Sequence, residues 1–175
     1  MAVSYRTIIL DKIAKGVKMS LERAKQYLSQ YGLENEVMQF PVSSATVAEA
    51  AIAVGCEERA IAKTLSFIVE DKPIVIVVSG DSKIDNHKYK EEFHTKAKMI
   101  SFEDVEPLIG HAVGGVCPFG VAEDVKVYLD ESLKKCPVVY PACGSSNSAI
   151  KLTVEQLESI VNLEKWVDVC KEMEG

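Results

Sequence analysis

No segment of this sequence supplies 18 or more consecutive apolar residues, and no small-residue cleavage site follows a hydrophobic run. A membrane span and a secretory leader are therefore not expected, and the location expected is cytoplasmic. The five cysteines (Cys56, Cys117, Cys136, Cys143 and Cys170) form neither a CxxC pair nor a Cys/His pair at zinc-site spacing. An odd, widely spaced set predicts reduced thiols and no metal site. Positive charge is also short, with 20 Lys and Arg against 26 Asp and Glu and a net charge of −6. That balance speaks against a broad nucleic-acid footprint, DNA included, so any nucleic-acid contact must be local and its salt dependence shallow. No Gly-Lys-Ser/Thr follows the glycine-rich stretch, which excludes a phosphate loop, and no Asp-x-Asp nucleophile motif is present.

Linkers, low-complexity tracts and internal repeats are missing too, so a single domain over residues 1–175 is expected, with an N-terminal helical extension at about 1–35. The composition, 47% hydrophobic and 26% charged, is enough for one sizeable core. Ser20 is placed to N-cap an amphipathic helix, LERAKQYLSQYG, ended by Gly32. Arg6, Lys12, Lys15, Lys18, Arg23 and Lys25 make its surroundings locally basic, either as a solvated face or as a patch facing nucleic acid. Thr46 and Glu49 form a capping-box pattern before VAEAAIAV, with Gly55 at the expected end. CEERAIAKTL then leads into two β-rich runs, SFIVE and PIVIVVS, read as a hairpin whose almost wholly apolar second strand suits the centre of a sheet. A polar helix around NHKYKEEF, a helix capped by Ser101 and Asp104, strands at VKVYLDE and PVVYPA, a short strand at IKL, a helix capped by Thr153 and Gln156, and a closing edge strand at KWVDVC complete the reading. Interleaved strands and helices with at least one hairpin favour an α+β fold around a mixed sheet.

Two features can carry chemistry. GHAVGGVCPFG, residues 110–120, contains four glycines and Pro118 together with His111, Cys117 and Phe119. Glycines allow close backbone approach, so successive N–H groups of such a loop can hold an oxygen; the alternative is a tight connection without a ligand. Lys63 stands among apolar residues just before an expected buried strand, where its ammonium must reach solvent, a partner or an anionic ligand. A Cys/His dyad drawn from His111, Cys117 and Cys143 is the weaker reading, because no orienting acid follows from spacing and a free Cys is most often a small core residue. His87 and His94 read as parts of a solvated helix face.

Taken in order, TVAEAAIAVGCEERAIAKTLSFIVEDKPIVIVVSGDSKID, GHAVGGVCPFG and CGSSNSAIKLTVEQL resemble the YbaK/EbsC family over roughly residues 40–160. That family comprises free-standing aminoacyl-tRNA deacylases and the editing domain of bacterial prolyl-tRNA synthetases. The resemblance implies a mixed, partly barrel-like sheet surrounded by helices, and a pocket for an amino-acid side chain and the tRNA 3′ end. It implies hydrolysis of mischarged tRNA, with tRNA-Pro or a related tRNA bearing a small amino acid as the expected substrate, without metal, cofactor or covalent intermediate, and with a synthetase as a further candidate partner. Lys63 matches the family lysine, thought to engage the tRNA end, and Gly114 to Pro118 match the family's GxxxP loop, with Gly115, Val116 and Cys117 between, thought to position the scissile carbonyl. Catalytic roles are thereby expected for Lys63, Gly114 and Gly115, and substrate contacts for His111, Val116, Cys117, Pro118, Gly144, Ser145, Ser146 and Asn147. Where many relatives carry an acid or histidine, this sequence has Ser145, Ser146, Asn147 and Ser148, which suit either a small amino acid or a turn. The competing class is a non-catalytic module that binds an aminoacylated end, a nucleotide or a protein.

Overall fold

The computed structural model describes residues 19–174, so Arg6, Lys12, Lys15 and Lys18 of the basic segment lie outside the described residues. In chain order the elements are helical residues 19–29 (α1), β1 (Met38–Gln39), α2 (Val47–Val54), β2 (Ile61–Val69), β3 (Lys72–Ser79) and β4 (Ser82–Ile84). They continue with α3 (Asn86–Phe93), α4 (Phe102–Ile109), β5 (Lys126–Asp130), β6 (Val138–Pro141), β7 (Ser148–Ala149), β8 (Leu152–Thr153), α5 (Val154–Ile160), β9 (Leu163–Val167) and β10 (Cys170–Glu172). The fold is α+β, and its six-stranded mixed sheet, ordered β8-β6-β2-β3-β5-β9, curls into a partial barrel.

The hairpin forms as its sequence dictates. Glu70 and Asp71 both take positive φ (50° and 63°), matching the right-handed strand twist, and β2 pairs antiparallel with β3 from Ala62↔Ser79 to Val69↔Lys72. β3 then pairs parallel with β5, and β5 parallel with β9. Alternation along β3 divides the interior. Val75 and Val77 join a core with Leu28, Ile109, Phe119, Leu129, Ile150 and Leu157, while Ile74, Ile76 and Val78 pack with Phe67, Tyr89 and Val169. A strand covered on both faces needs the continuous apolar run that PIVIVVS supplies.

The caps follow the sequence in most places. Thr46 Oγ1 accepts from Glu49 N at 3.1 Å, Gly55 closes α2 at φ 81°, and Thr153 and Gln156 form a reciprocal capping box on α5. Five local expectations change. Residues 19 and 20 are already helical, so Ser20 is no N-cap; its buried hydroxyl serves a distant partner. Ser101 precedes α4 as expected, but its hydroxyl donates to the Asp104 carboxylate at 2.6 Å instead of accepting from the helix backbone. β2 begins at Ile61, which places Lys63 inside the strand and not before it. Of IKL only Leu152 falls in a strand, β8 beside β6, while the preceding Ser148–Ala149 form β7 beside β1, and KWVDVC splits into β9 at the sheet edge and β10 paired with β4.

One irregularity positions the site. β6 runs beside β2 only at Ile61↔Tyr140 and Ala62↔Pro141, then diverges. The same edge of β2 is taken up again further on, where Ile68 N donates to Lys98 O, Ile100 N donates to Ser66 O, and Phe67 bridges Met99. Backbone groups alternate sides along an antiparallel strand, so Thr64 lies between these two pairings with its N–H and C=O directed at the gap.

Candidate active site

A cleft of about 400 Å³ opens at that gap. The segment leading into α2 (Ser44 to Val47) forms one wall, Ile61 to Leu65 of β2 the floor, Gly114 and Val116 the second wall, and Tyr140, Ala142, Ser148 and Ala149 the far end. Its size is within the span of about 300–1,000 Å³ usual for small-ligand sites. The first turn of α2 carries unpaired N–H groups and the positive end of the helix dipole, which favours electron-rich ligand atoms nearby.

Lys63 lines this cleft half-buried, and burial pushes its ammonium below the ordinary lysine value of 10.5. Its one hydrogen bond is long, from Nζ to Gly80 O at 3.4 Å. The nearby Asp81 carboxylate is already held by Lys135 and by the Ser79 hydroxyl at 2.7 Å. Among the described residues no carboxylate lies within ion-pair distance of Lys63. A partly desolvated cation with so little compensation is suited to meeting an anionic or carbonyl group of a ligand.

The loop owes its shape to backbone contacts that admit no side chain. A Cβ on Gly115 would stand 2.3 Å from the Gly144 carbonyl carbon, and one on Gly144 (φ 88°) 2.3 Å from Ser20 O. Three chain segments are thus stacked backbone to backbone: α1, the turn at Gly144, and the loop. Gly115 N donates to Ala112 O at 3.0 Å, so this N–H is committed to the turn, while Gly114, at φ 89°, and Val116 are the loop residues that face the cleft.

Behind the loop lies a closed polar chain. His111 is fully buried, with Nδ1 2.8 Å from Ser20 Oγ and Nε2 2.6 Å from Phe119 O. A carbonyl only accepts, so Nε2 carries the proton and Nδ1 accepts from the Ser20 hydroxyl, which in turn accepts from Ala112 N at 3.2 Å. Burial pushes the His111 pKa down to about 4, keeping the ring neutral. Arg23 donates to Gly120 O and lies against Gly110, gripping both ends of the loop from α1.

The sequence-predicted residues therefore separate by depth. Lys63, Gly114 and Val116 meet at the cleft. His111 and Cys117 lie buried behind it, and Pro118 borders a different hollow beside Tyr27 and Glu123. Cys117 Sγ does approach His111 Nε2, at 3.5 Å, but the nitrogen is the protonated one and burial pushes the thiol up to about 12, so the pair is no nucleophile and base. Cys143 is likewise buried and raised well above the ordinary thiol range. Gly144 underpins the loop, while Ser145 Oγ donates to Ser148 Oγ at 2.7 Å and Asn147 Nδ2 to Phe40 O at 3.0 Å, knitting the turn together. Ser146 approaches the position of a Gly114 Cβ at 3.5 Å, and Ser148 is the member of this segment that lines the cleft. Ser20, Arg23 and Thr64 carry no local signal of these roles. Ser20 meets its partner 91 residues away, and Arg23 meets its own 97 away.

The family model for the aminoacyl-tRNA editing domain matches residues 42–160. The uncharacterised protein YwhH of Bacillus subtilis is 49% identical over 157 residues, 89% of this chain and 100% of YwhH. EbsC of Enterococcus faecalis, a candidate Cys-tRNA(Pro)/Cys-tRNA(Cys) deacylase, is 28% identical over 123 residues, 69% of this chain and 73% of EbsC. Among solved structures, a candidate trans-editing enzyme for prolyl-tRNA synthetase superposes with a TM-score of 0.78 at 31% identity, covering 87% of this chain and 97% of that one.

Proposed function

The chain belongs to the aminoacyl-tRNA editing domain family, and from that premise we propose that it is a trans-acting deacylase that hydrolyses the ester of a tRNA mischarged with a small amino acid. The observation that carries this reading is the single cleft that brings Lys63 together with the cleft-facing backbone of Gly114 and Val116. The acyl group occupies the end lined by Ala50, Tyr140, Ala142 and Ala149, whose alanines leave room for a short side chain and whose neighbours Ser44, Thr46 and Ser148 offer hydroxyls to a polar one.

In this reading Lys63 binds and orients the anionic tRNA end, and a loop N–H at Gly114 or Val116 stabilises the oxyanion as a water oxygen adds to the ester carbonyl. The bond to the ribose oxygen then breaks; that oxygen leaves with a proton as the terminal hydroxyl, and the free amino acid is released. The neighbouring ribose hydroxyl of the substrate can relay the proton. An aminoacyl ester is already reactive, so orientation and oxyanion stabilisation suffice, and the buried thiols of Cys117 and Cys143 take no part.

The test is a deacylation screen over tRNAs mischarged with single amino acids, beginning with tRNA-Pro carrying alanine, cysteine, serine or threonine. Turnover of at least one small aminoacyl ester, with correctly charged prolyl-tRNA spared, is expected. Binding of these tRNAs without hydrolysis would instead identify a recognition module.

A further inference from the structure

Between Ile109, the last residue of α4, and Lys126, the first of β5, the chain forms neither helix nor strand. The cleft-facing tip of this stretch, Gly114 to Val116, is closed by a turn hydrogen bond from Gly115 N to Ala112 O. A tip held so lightly takes its position from the scaffold beneath it. Two supports lie there, and both end on one residue. The Ser20 hydroxyl accepts from Ala112 N at 3.2 Å and donates to His111 Nδ1 at 2.8 Å, holding the first limb of the loop. The Ser20 carbonyl oxygen would stand 2.3 Å from a Cβ on Gly144, and the Gly144 carbonyl carbon 2.3 Å from a Cβ on Gly115. Side chain and backbone of Ser20 thus set both the loop and the turn against which it rests.

The second limb is tied to the same helix. His111 Nε2 donates across the loop to Phe119 O at 2.6 Å, and Arg23, one turn beyond Ser20, donates to Gly120 O. The Arg23 guanidinium also covers Gly110, where a Cβ would stand 2.8 Å from its central carbon. Burial, and after it the Arg23 charge, opposes protonation of His111, so Nδ1 remains an acceptor for Ser20. The apolar face of α1, with Leu21, Ala24 and Leu28, already anchors the helix in the core, so these polar ties are not what keeps it docked. No described residue of α1 lines the cleft, and the helix therefore acts on the reaction only through the loop.

We propose that Ser20 and Arg23 are positioning residues of the hydrolysis, which fix the Gly114–Val116 backbone over the cleft through His111, Ala112 and Gly120 without touching the substrate. The assignment rests on the deacylase reading and adds to it the residues that hold the oxyanion-stabilising backbone in register. Loss of either tie lets the tip drift, and a drift of about 1 Å costs on the order of 100-fold in rate. Lys63 stands on β2, outside these ties, so its hold on the tRNA end is left intact. The signature is a fall in kcat and kcat/KM together, with KM unmoved.

The experiment follows amide hydrogen exchange and the kinetics of deacylation of the substrate found in the screen, in the full chain as wild type, Ser20→Ala, Ser20→Cys, Arg23→Ala and Ile76→Val. In Ser20→Ala the Ala112 and Gly115 amides are expected to exchange faster while those of β3 keep their protection, and kcat to fall by about 10- to 100-fold at unchanged KM. A thiol is the weaker hydrogen-bonding group, so Ser20→Cys should fall between serine and alanine. Arg23 is exposed, so Arg23→Ala should fold even where Ser20→Ala does not, and it should likewise lower kcat alone. Ile76→Val thins the core on the opposite face of the sheet and should lower Tm while leaving kcat unchanged. Unchanged exchange at Ala112 and Gly115, or an unchanged kcat in Ser20→Ala, overturns the assignment, as does a loss of kcat in Ile76→Val equal to that in Ser20→Ala. A raised KM with kcat intact in Arg23→Ala would make that residue a tRNA contact and overturn its positioning role. Faster loop exchange in the Ser20→Ala form of a protein that hydrolyses no aminoacyl-tRNA would uphold the grip of α1 on the loop and reject the deacylase reading instead.

Discussion

Gly115→Ala is the substitution whose effect is most directly fixed by the geometry. The added methyl would stand 2.3 Å from the Gly144 carbonyl carbon and 2.4 Å from both Gly144 O and Ser145 N, where ordinary contact requires at least 3.4 Å. All three obstacles are backbone atoms, and Gly144 is itself pressed against Ser20 O, so the turn cannot retreat. The loop must therefore move outward by about 1 Å, carrying Gly114 and Val116 with it. Misplacing catalytic groups by about 1 Å costs on the order of 100-fold in rate, and the overpacking should cost about 1–3 kcal/mol of stability. Gly114→Ala is the control. It sits at φ 89° and meets only Ser146 Cβ at 3.5 Å, so it strains one residue by about 1–2 kcal/mol without forcing the loop off its support. Single-turnover deacylation and urea denaturation of both variants give the comparison. A Gly115→Ala protein with kcat within threefold of wild type would refute the idea that the backbone stack at Gly144 sets the position of the loop.

Three further outcomes follow from the electrostatics. If Lys63 acts as a cation, kcat/KM should fall on an alkaline limb whose midpoint lies below the ordinary lysine value of 10.5, and Lys63→Arg should move that limb upward; an unshifted limb in the arginine variant would remove the lysine's charge from the reaction. His111 has its folded pKa depressed to about 4 against 6.5 unfolded, so the unfolded chain takes up the proton first and stability should fall as pH drops from 6.5 towards 4. That loss amounts to roughly 3 kcal/mol, seen as acid sensitivity in denaturation curves and absent from His111→Asn. Cys117→Ser and Cys143→Ser should each keep a third or more of wild-type kcat, with the loss showing mainly as a lowered Tm; complete inactivation by either would restore a thiol mechanism.

Local chemistry was readable wherever a few neighbouring residues decide it. Thr46 with Glu49, Thr153 with Gln156, and the apolar run of β3 each specify an element within one short window, and each forms as its sequence dictates. Ser20 misled because a serine before an amphipathic run has the pattern of a cap, while its real partner, His111, is 91 residues away and is set by packing. Lys63 was conspicuous as a lysine among apolar residues, but the open edge of β2 that makes room beside it depends on where β6 departs and where residues 98–100 arrive. His111 and Cys117 were drawn towards the ligand by their chemistry, and only depth distinguishes a group that lines a cleft from one that supports its wall.

Hydrolysis of an aminoacyl ester is the proposed work of the cleft that holds Lys63 and the Gly114–Val116 backbone. Its most direct test is the rate of deacylation of the preferred mischarged tRNA by wild-type and Lys63→Ala proteins, with circular dichroism confirming that both are folded. Turnover by the wild type and a loss of at least tenfold in a normally folded Lys63→Ala are expected. Near-native activity in that variant would contradict this.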